Sequence, residues 1–237
     1  MNRGVTTGGR LHTLLIVPLV QSARCRGTEL RPAPAGRDPG DTVAQQVNLP
    51  GELERGVISA LGSLPAEESK AFDLDGLLLG LAARQAIAGM ARGDATPLLV
   101  NVRFDVFATR PATERYFATC LRIDQRVANR LILMLSSLPE GLPKTRQLEC
   151  VNRLRPYCRG VGYQVNDVAG LAALDLSFSA APIVSLPARA LNDEDPEKLK
   201  GLFASLHARR ARVLIREVAS DKDAAWFRLF GADMIAA

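Results

Sequence analysis

The chain has 237 residues and a formal net charge of +5, and 47% of its residues are hydrophobic, which is enough for one substantial core. Charged residues make up 23% and aromatic residues 5%, so the composition is globular and excludes a disordered or fibrous chain. The basic residues are spread along the chain with few aromatics between them, so nucleic-acid binding is not expected.

The first residues allow two interpretations. Residues 1–10 are polar and glycine-rich, which predicts a disordered segment before a single domain at 11–237. The apolar run at 11–20 follows Arg3 and Arg10, as in a secretory signal, or it is the first strand, at 13–18, of a barrel. The strand is preferred because the run contains Pro18 and no clear cleavage site follows. A cytoplasmic protein without a membrane span is therefore expected.

The following segments read as a loop and two helices. Residues 31–50 contain several prolines and glycines and few large apolar residues, so they predict a long loop. Residues 51–63 and 66–92 predict helices, and the second is almost wholly apolar at its centre, as in a buried helix.

From residue 97 onward, short apolar strands alternate with amphipathic helices. This alternation predicts a parallel sheet covered by helices, either an open doubly wound sheet or a closed barrel. In both folds chemistry takes place at the carboxyl ends of the strands. The predicted strands are Leu98–Arg103, Leu131–Leu135, Val161–Asp167, Ile183–Leu186, Val213–Glu217 and Met234–Ala236.

The cysteines and histidines do not suggest a metal or nucleophile site. No Cys-x-x-Cys pair occurs, and Cys120 and Cys150 fall on apolar helix faces, so buried reduced thiols are expected. The two histidines are His12, before an apolar run, and His207, late in a predicted helix, where a cation suits the helix dipole. No cofactor is expected.

Seven segments, in chain order, resemble motifs of the EAL family, bacterial cyclic di-GMP phosphodiesterases built on a modified TIM barrel. Residues 14–20 resemble its Tyr-Gln-Pro-Ile-Val strand. Gly27–Arg31, which contains Glu29, is similar to Gly-Ala-Glu-Ala-Leu, and Leu98–Val102, which contains Asn101, is similar to Ser-Val-Asn-Leu. The later segments resemble the strands that follow and the family's ending, and are Arg130–Ser137, Gln164–Gly170, Val213–Ala219 and Phe230–Ala236.

The resemblance implies an α/β fold, a TIM-like (β/α)8 barrel of the EAL type with a modified first strand. It also implies a pocket at one mouth of the barrel. The residues expected there, as vestigial ligand contacts, are Glu29, Asn101, Asn166, Asp167 and Arg216.

The chain departs from the family at the positions that would carry catalysis. Active members hold two divalent cations with carboxylates and an asparagine, and two-metal hydrolysis requires that clamp. Met134 stands for the strand glutamate, a soft ligand that does not suit Mg²⁺ or Mn²⁺. Arg216 stands for the late glutamate, although Glu217 is adjacent. The other departures, by the same comparison, are Ser137, Asn166, Val184, Leu186 and Ala236.

These departures lead to three hypotheses. The first is a catalytically inactive domain that acts in bacterial signalling as a regulatory or protein-interaction module, with a protein partner not identified by the sequence, a homodimer allowed, and metal-free binding of cyclic di-GMP left open. The second is a weakly active metal-dependent phosphodiesterase that uses Glu29, Asn101, Asp167 and Glu217. The third is an unrelated α/β protein whose motifs match by chance.

Overall fold

Eight strands form a closed barrel in a computed structural model that describes residues 26–32, 44–48, 73–178, 182–192 and 194–236. Each strand is hydrogen-bonded to the next in chain order, and the last is bonded to the first. The strands are β1 (Arg26–Pro32), β2 (Ala44–Asn48), β3 (Leu98–Arg103), β4 (Leu131–Ser136), β5 (Gly160–Gln164), β6 (Ile183–Pro187), β7 (Arg212–Arg216) and β8 (Met234–Ile235).

The first strand runs against all the others. β1 is antiparallel to both β2 and β8, whereas every other neighbouring pair, from β2–β3 to β7–β8, is parallel. The carboxyl ends of β2 to β8 therefore share one end of the barrel, which we call the mouth, and the amino end of β1 lies there too. The barrel with a modified first strand is confirmed.

Helices form the outer layer, and most begin at a side chain that caps them. Asp73, Thr109, Asp124, Asp195 and Ser220 each accept a hydrogen bond from a backbone N–H in the first turn of the helix that follows. The helices are α1 (Leu74–Ala91), α2 (Arg110–Cys120), α3 (Gln125–Ala128), α4 (Lys144–Leu154), α5 (Val168–Ala172), α6 (Pro196–Ala208) and α7 (Asp221–Leu229).

The prediction of a loop over residues 31–50 is wrong in part. Arg31 and Pro32 end β1, and Ala44–Asn48 forms β2. The sequence of β2, Ala-Gln-Gln-Val-Asn, lacks apolar alternation, and it is a strand because it is bonded to β1 on one side and β3 on the other. The predicted segment 1–10, strand 13–18 and helix 51–63 lie outside the described residues.

Two strand ends are also shorter than predicted. β5 ends at Gln164, before Asn166 and Asp167, because the Asp167 side chain caps α5 and a cap residue lies outside the ladder. β7 ends at Arg216 because Glu217 has a left-handed backbone, with φ of 59°.

The core has two compartments, one on each face of the barrel wall. Alternate strand residues such as Val100, Leu133 and Ile215 point outward and pack against the helices. The buried cysteines lie in this outer compartment, which confirms the prediction for Cys120 and Cys150 and adds Cys158. Burial raises the pKa of the Cys120 thiol to about 12 and of the Cys150 and Cys158 thiols to about 11, so all three are protonated and poorly reactive at neutral pH.

Helix α1 is the one helix of the described residues that is long and apolar enough to cross a membrane by length and composition alone. In the barrel it packs against β3 and α2, which accounts for its apolar residues as those of a core helix. At its first turn the buried Asp75 carboxylate accepts hydrogen bonds from Nε and Nη2 of Arg103, at 3.0 and 2.9 Å, and from the Arg103 backbone N–H at 3.1 Å. This contact fixes α1 to the mouth end of β3.

We therefore predict that Asp75→Asn lowers the free energy of unfolding by about 2 kcal/mol, because it removes a buried charge partner and weakens three hydrogen bonds. The matched control is Glu114→Gln, which breaks the exposed ion pair with Arg110 and costs no more than about 0.5 kcal/mol. Urea unfolding monitored by circular dichroism measures both. Equal losses in the two variants would contradict the role given to Asp75.

Candidate functional site at the barrel mouth

The interior of the barrel is apolar at mid-height. Leu99, Met134, Ile183, Leu214, Met234 and Ala236, from five different strands, form one buried cluster. Because side chains alternate along a strand, the next inward residues toward the mouth are Asn101 after Leu99, Ser136 after Met134 and Arg216 after Leu214. The polar part of the interior therefore begins one layer above this cluster.

Met134 fills the interior next to a residue that has no side chain. It is in register with Gly162 on β5 and is 1% exposed. A Cβ placed on Gly162 would lie 2.6 Å from the Met134 Sδ and 2.6 Å from the carbonyl oxygen of Ile183. The thioether therefore occupies the volume that any larger residue at 162 would need.

Arg216 is held at the carboxyl end of β7 by three neighbours. Its Nη2 donates to the Asn166 side-chain oxygen at 2.9 Å and to the Val165 carbonyl oxygen at 3.1 Å. Its Nη1 forms an ion pair with Glu217, and Glu217 also pairs with Arg189. The arrangement alternates charges across the ends of three strands, β5, β6 and β7.

Burial has an electrostatic effect on this cation. The Arg216 side chain is 11% exposed, and desolvation lowers the pKa of its guanidinium from the usual value. Glu217 opposes that shift, and Arg189 adds to it. A mostly buried guanidinium with one nearby carboxylate favours a second anionic or acceptor group in its surroundings.

Two inward polar atoms have no partner among the described residues. They are the Asn101 side-chain oxygen and the Nε of Arg216. One is an acceptor and the other a donor, and each belongs to a residue predicted for the site. Buried polar atoms of this kind are usually satisfied by water or by a ligand.

The structure brings together some of the predicted residues. Asn166 and Arg216 are in direct contact. Asp167 is next to Asn166, but its carboxylate is exposed and accepts from the Gly170 N–H at 2.6 Å as the cap of α5. Glu29 lies in the middle of β1, in register with Gln45, and not at a carboxyl strand end as predicted.

One predicted substitution is out of register. Val184 and Leu186 are buried against the outer helices, so the inward residues of β6 are Ile183 and Ser185. The comparison with the family lysine and acidic position therefore does not describe pocket residues here. A shift of one residue changes the face of a strand, and motif order alone does not resolve it.

Arg189 and Gly162 are features of the site that the sequence analysis missed. Arg189 directly follows β6, and its position beyond a strand end was the available signal. Ser137 and Glu217, each directly after a strand, have left-handed φ values of 55° and 59°. This conformation is uncommon for residues other than glycine and occurs often at functional sites.

The described side chains do not fit the two divalent cations that the family resemblance implies. Met134 offers a thioether, and the guanidinium of Arg216 repels a cation. Among the described residues no three or more His, Cys, Asp or Glu side chains converge as a metal site. We derive no chemical step through a metal.

The packing of Met134 gives a direct test. Gly162→Ala is expected to lower the free energy of unfolding by about 2 kcal/mol because its Cβ meets both backbone and thioether. Gly160→Ala on the same strand meets nothing within 4 Å and is expected to be neutral or slightly stabilising. Thermal unfolding of both variants checks this, and a neutral Gly162→Ala would mean that the interior is not filled as described.

No protein-family model and no curated protein sequence matches the chain. Solved structures do. The EAL domain of Xanthomonas citri FimX in complex with c-diGMP is 14% identical with a TM-score of 0.68, over 97% of this chain and 90% of that chain. The PaMucR phosphodiesterase in its c-di-GMP complex is 16% identical with a TM-score of 0.66, over 96% and 94%.

A third similar structure is an EAL domain protein from Listeria monocytogenes EGD-e, which is 11% identical with a TM-score of 0.60, over 99% of this chain and 92% of that one. All three share the barrel over nearly its whole length. The likeness, at this identity, is one of fold, and it agrees with the order of motifs read from the sequence. The chain has the fold of an EAL domain.

Proposed function

We propose that this protein is a non-hydrolysing EAL-type domain that acts by binding, with cyclic di-GMP as the ligand of the mouth and a protein partner as the recipient of the signal. The observation that carries the proposal is the pairing of Met134 with Gly162 beneath Arg216. An apolar side chain and a cation stand on the strands from which the family resemblance expects metal-binding carboxylates. Binding without hydrolysis is what this set of groups can perform.

The choice of ligand rests on charge and on the unpartnered atoms. Cyclic di-GMP carries two phosphodiester anions, and Arg216 and the exposed Arg189 are the cations beside the mouth network. The free Nε of Arg216 is a donor for a phosphate oxygen, and the Asn101 oxygen is an acceptor for a guanine N–H. The FimX and PaMucR structures, which share the fold, contain this dinucleotide.

The competing proposal, a weakly active metal-dependent phosphodiesterase, would need Glu29, Asn101, Asp167 and Glu217 as ligands. Asp167 is engaged as a helix cap, and Glu217 is paired with two arginines. Freeing both for a cation would cost the contacts they now make. These engagements favour the binding function over the catalytic one.

Calorimetric titration with cyclic di-GMP tests the proposal. We expect binding with the same affinity in EDTA and in Mg²⁺, because arginine and amide groups, not a metal, hold the phosphates. Chromatography of the same samples is expected to detect no linear dinucleotide. Product that depends on Mg²⁺ or Mn²⁺ would contradict the non-catalytic part, and no heat at any concentration would contradict the ligand.

A variant ties the ligand to the site. Arg216→Gln is expected to weaken cyclic di-GMP binding by roughly tenfold or more, since it removes a charge-assisted hydrogen bond to a phosphate. The control is Arg110→Gln, which removes the same charge from an exposed helix position. Similar affinities of the two variants would mean that the dinucleotide binds elsewhere.

A further inference from the structure

The end of the barrel opposite the mouth carries arginines from distant parts of the chain. Each outer helix returns toward the amino end of the next strand, so the ends of α1, α3, α6 and α7 and the loops after them meet there. Backbone hydrogen bonds connect these loops: Leu98 N to Arg130 O at 2.8 Å, Arg159 N to Leu131 O at 2.8 Å, and Asp233 N to Val213 O at 2.9 Å. Residues that are scattered in sequence are therefore gathered on one surface.

Seven arginines on these segments are exposed, and we call them the arginine face. They come from the segments before β3, β4, β5 and β7 and from the start of β7 itself. They are Arg92, Arg122, Arg126, Arg159, Arg209, Arg210 and Arg212.

The charge of this face is not neutralised within the described residues. None of its seven arginines forms an ion pair there, whereas Arg103 and Arg189 at the mouth end do. The carboxylates nearby, Asp94, Asp124 and Asp233, each accept a hydrogen bond from a backbone N–H of their own end of the fold. The face therefore has a strong excess of positive charge.

Exposed aliphatic side chains lie at the same end. Leu121, which caps α2, is 73% exposed, and Leu229, the last residue of α7, is 84% exposed. Ile87, near the end of α1, is 55% exposed. These are the exposed large hydrophobic residues of the described part of the chain, and all three belong to the carboxyl-terminal parts of helices.

Stabilisation of helix ends does not account for the whole face. A cation at a helix carboxyl end is favourable, which explains Arg92 and Arg209. Arg210, however, has φ of 60°, a left-handed conformation in which glycine is strongly favoured. An arginine at that position works against the stability of the turn, and the dipole does not explain the exposed leucines.

We propose that the arginine face docks on the surface of a bilayer that contains anionic lipids. Arginines bind lipid phosphates and are attracted by the negative surface potential. Leu121, Leu229 and Ile87 would enter the boundary between headgroups and acyl chains, as aliphatic residues of peripheral proteins do. Nucleic acid would need aromatic stacking platforms rather than exposed leucines, so the lipid surface fits these side chains better. Docking by this end leaves the mouth facing water.

Vesicle co-sedimentation of the full chain tests this. With vesicles of phosphatidylglycerol and phosphatidylcholine we expect partitioning at least roughly tenfold stronger than with phosphatidylcholine alone, and a decrease as salt is raised. Equal partitioning to both vesicle types would overturn the proposal. Binding to a short DNA duplex without binding to the anionic vesicles would overturn it in favour of a nucleic-acid surface.

Variants at the two ends separate the face from net charge. Replacing Arg209, Arg210 and Arg212 by Gln, Gly and Gln is expected to weaken vesicle binding roughly tenfold or more. Replacing Lys198, Lys200 and Lys222 by Gln removes the same charge near the first turns of α6 and α7, at the mouth end, and is expected to have little effect. Equal losses in the two triple variants would contradict a defined face.

Two further variants guard against misfolding and against pure electrostatics. Arg210→Gly is expected to keep or raise the melting temperature, because glycine suits the left-handed backbone, while it weakens vesicle binding. Leu121→Gln with Leu229→Gln is expected to weaken binding without changing its salt dependence. Unchanged binding in this double variant would contradict insertion of the leucines.

Discussion

The interior of a closed eight-stranded barrel holds a limited volume of side chains, and in this chain that volume is filled by Met134 lying against Gly162. The packing couples three features of the molecule. It keeps the mid-height layer apolar, it leaves no space for a carboxylate from β5 at that level, and it sets the floor above which Arg216 and Asn101 lie. The composition of this one layer is the reason that the mouth is suited to binding an anion rather than to holding cations.

Local pattern predicted those parts of the fold that local pattern determines. The apolar runs at β3, β4, β6 and β7 were found within a residue or two because each is buried on both faces. β2 was missed because its Gln-Gln-Val-Asn sequence becomes a strand only through its two neighbours. The order of motifs nevertheless identified the barrel correctly, since it used spacing across the whole chain.

The site was predicted less completely than the fold. Asn166 and Arg216 were singled out from strand ends, and the structure joins them by a hydrogen bond. Asp167 was expected beside them and instead caps a helix. Gly162 was not found, because its importance depends on a side chain of another strand. The scattered arginines are the clearest case: no window of sequence indicates that Arg92, Arg159 and Arg212 share a surface, and only the return path of the helices brings them together.

The two ends of the barrel therefore differ in chemistry. At the mouth, arginines are compensated by Asp75 and Glu217, and polar atoms face inward. At the opposite end, arginines are uncompensated and stand beside exposed leucines. A ligand site at one end and a charged docking surface at the other would allow a signal molecule to be bound while the domain is held at a lipid surface.

The central claim is that the interior cannot hold the paired cations of a hydrolase, and counting bound Mn²⁺ by electron paramagnetic resonance tests it without reference to activity. For the purified protein we predict no tightly bound Mn²⁺ and no spectrum of a coupled pair, with or without cyclic di-GMP. Two tightly bound Mn²⁺ ions per chain with the spectrum of a coupled pair would contradict the account.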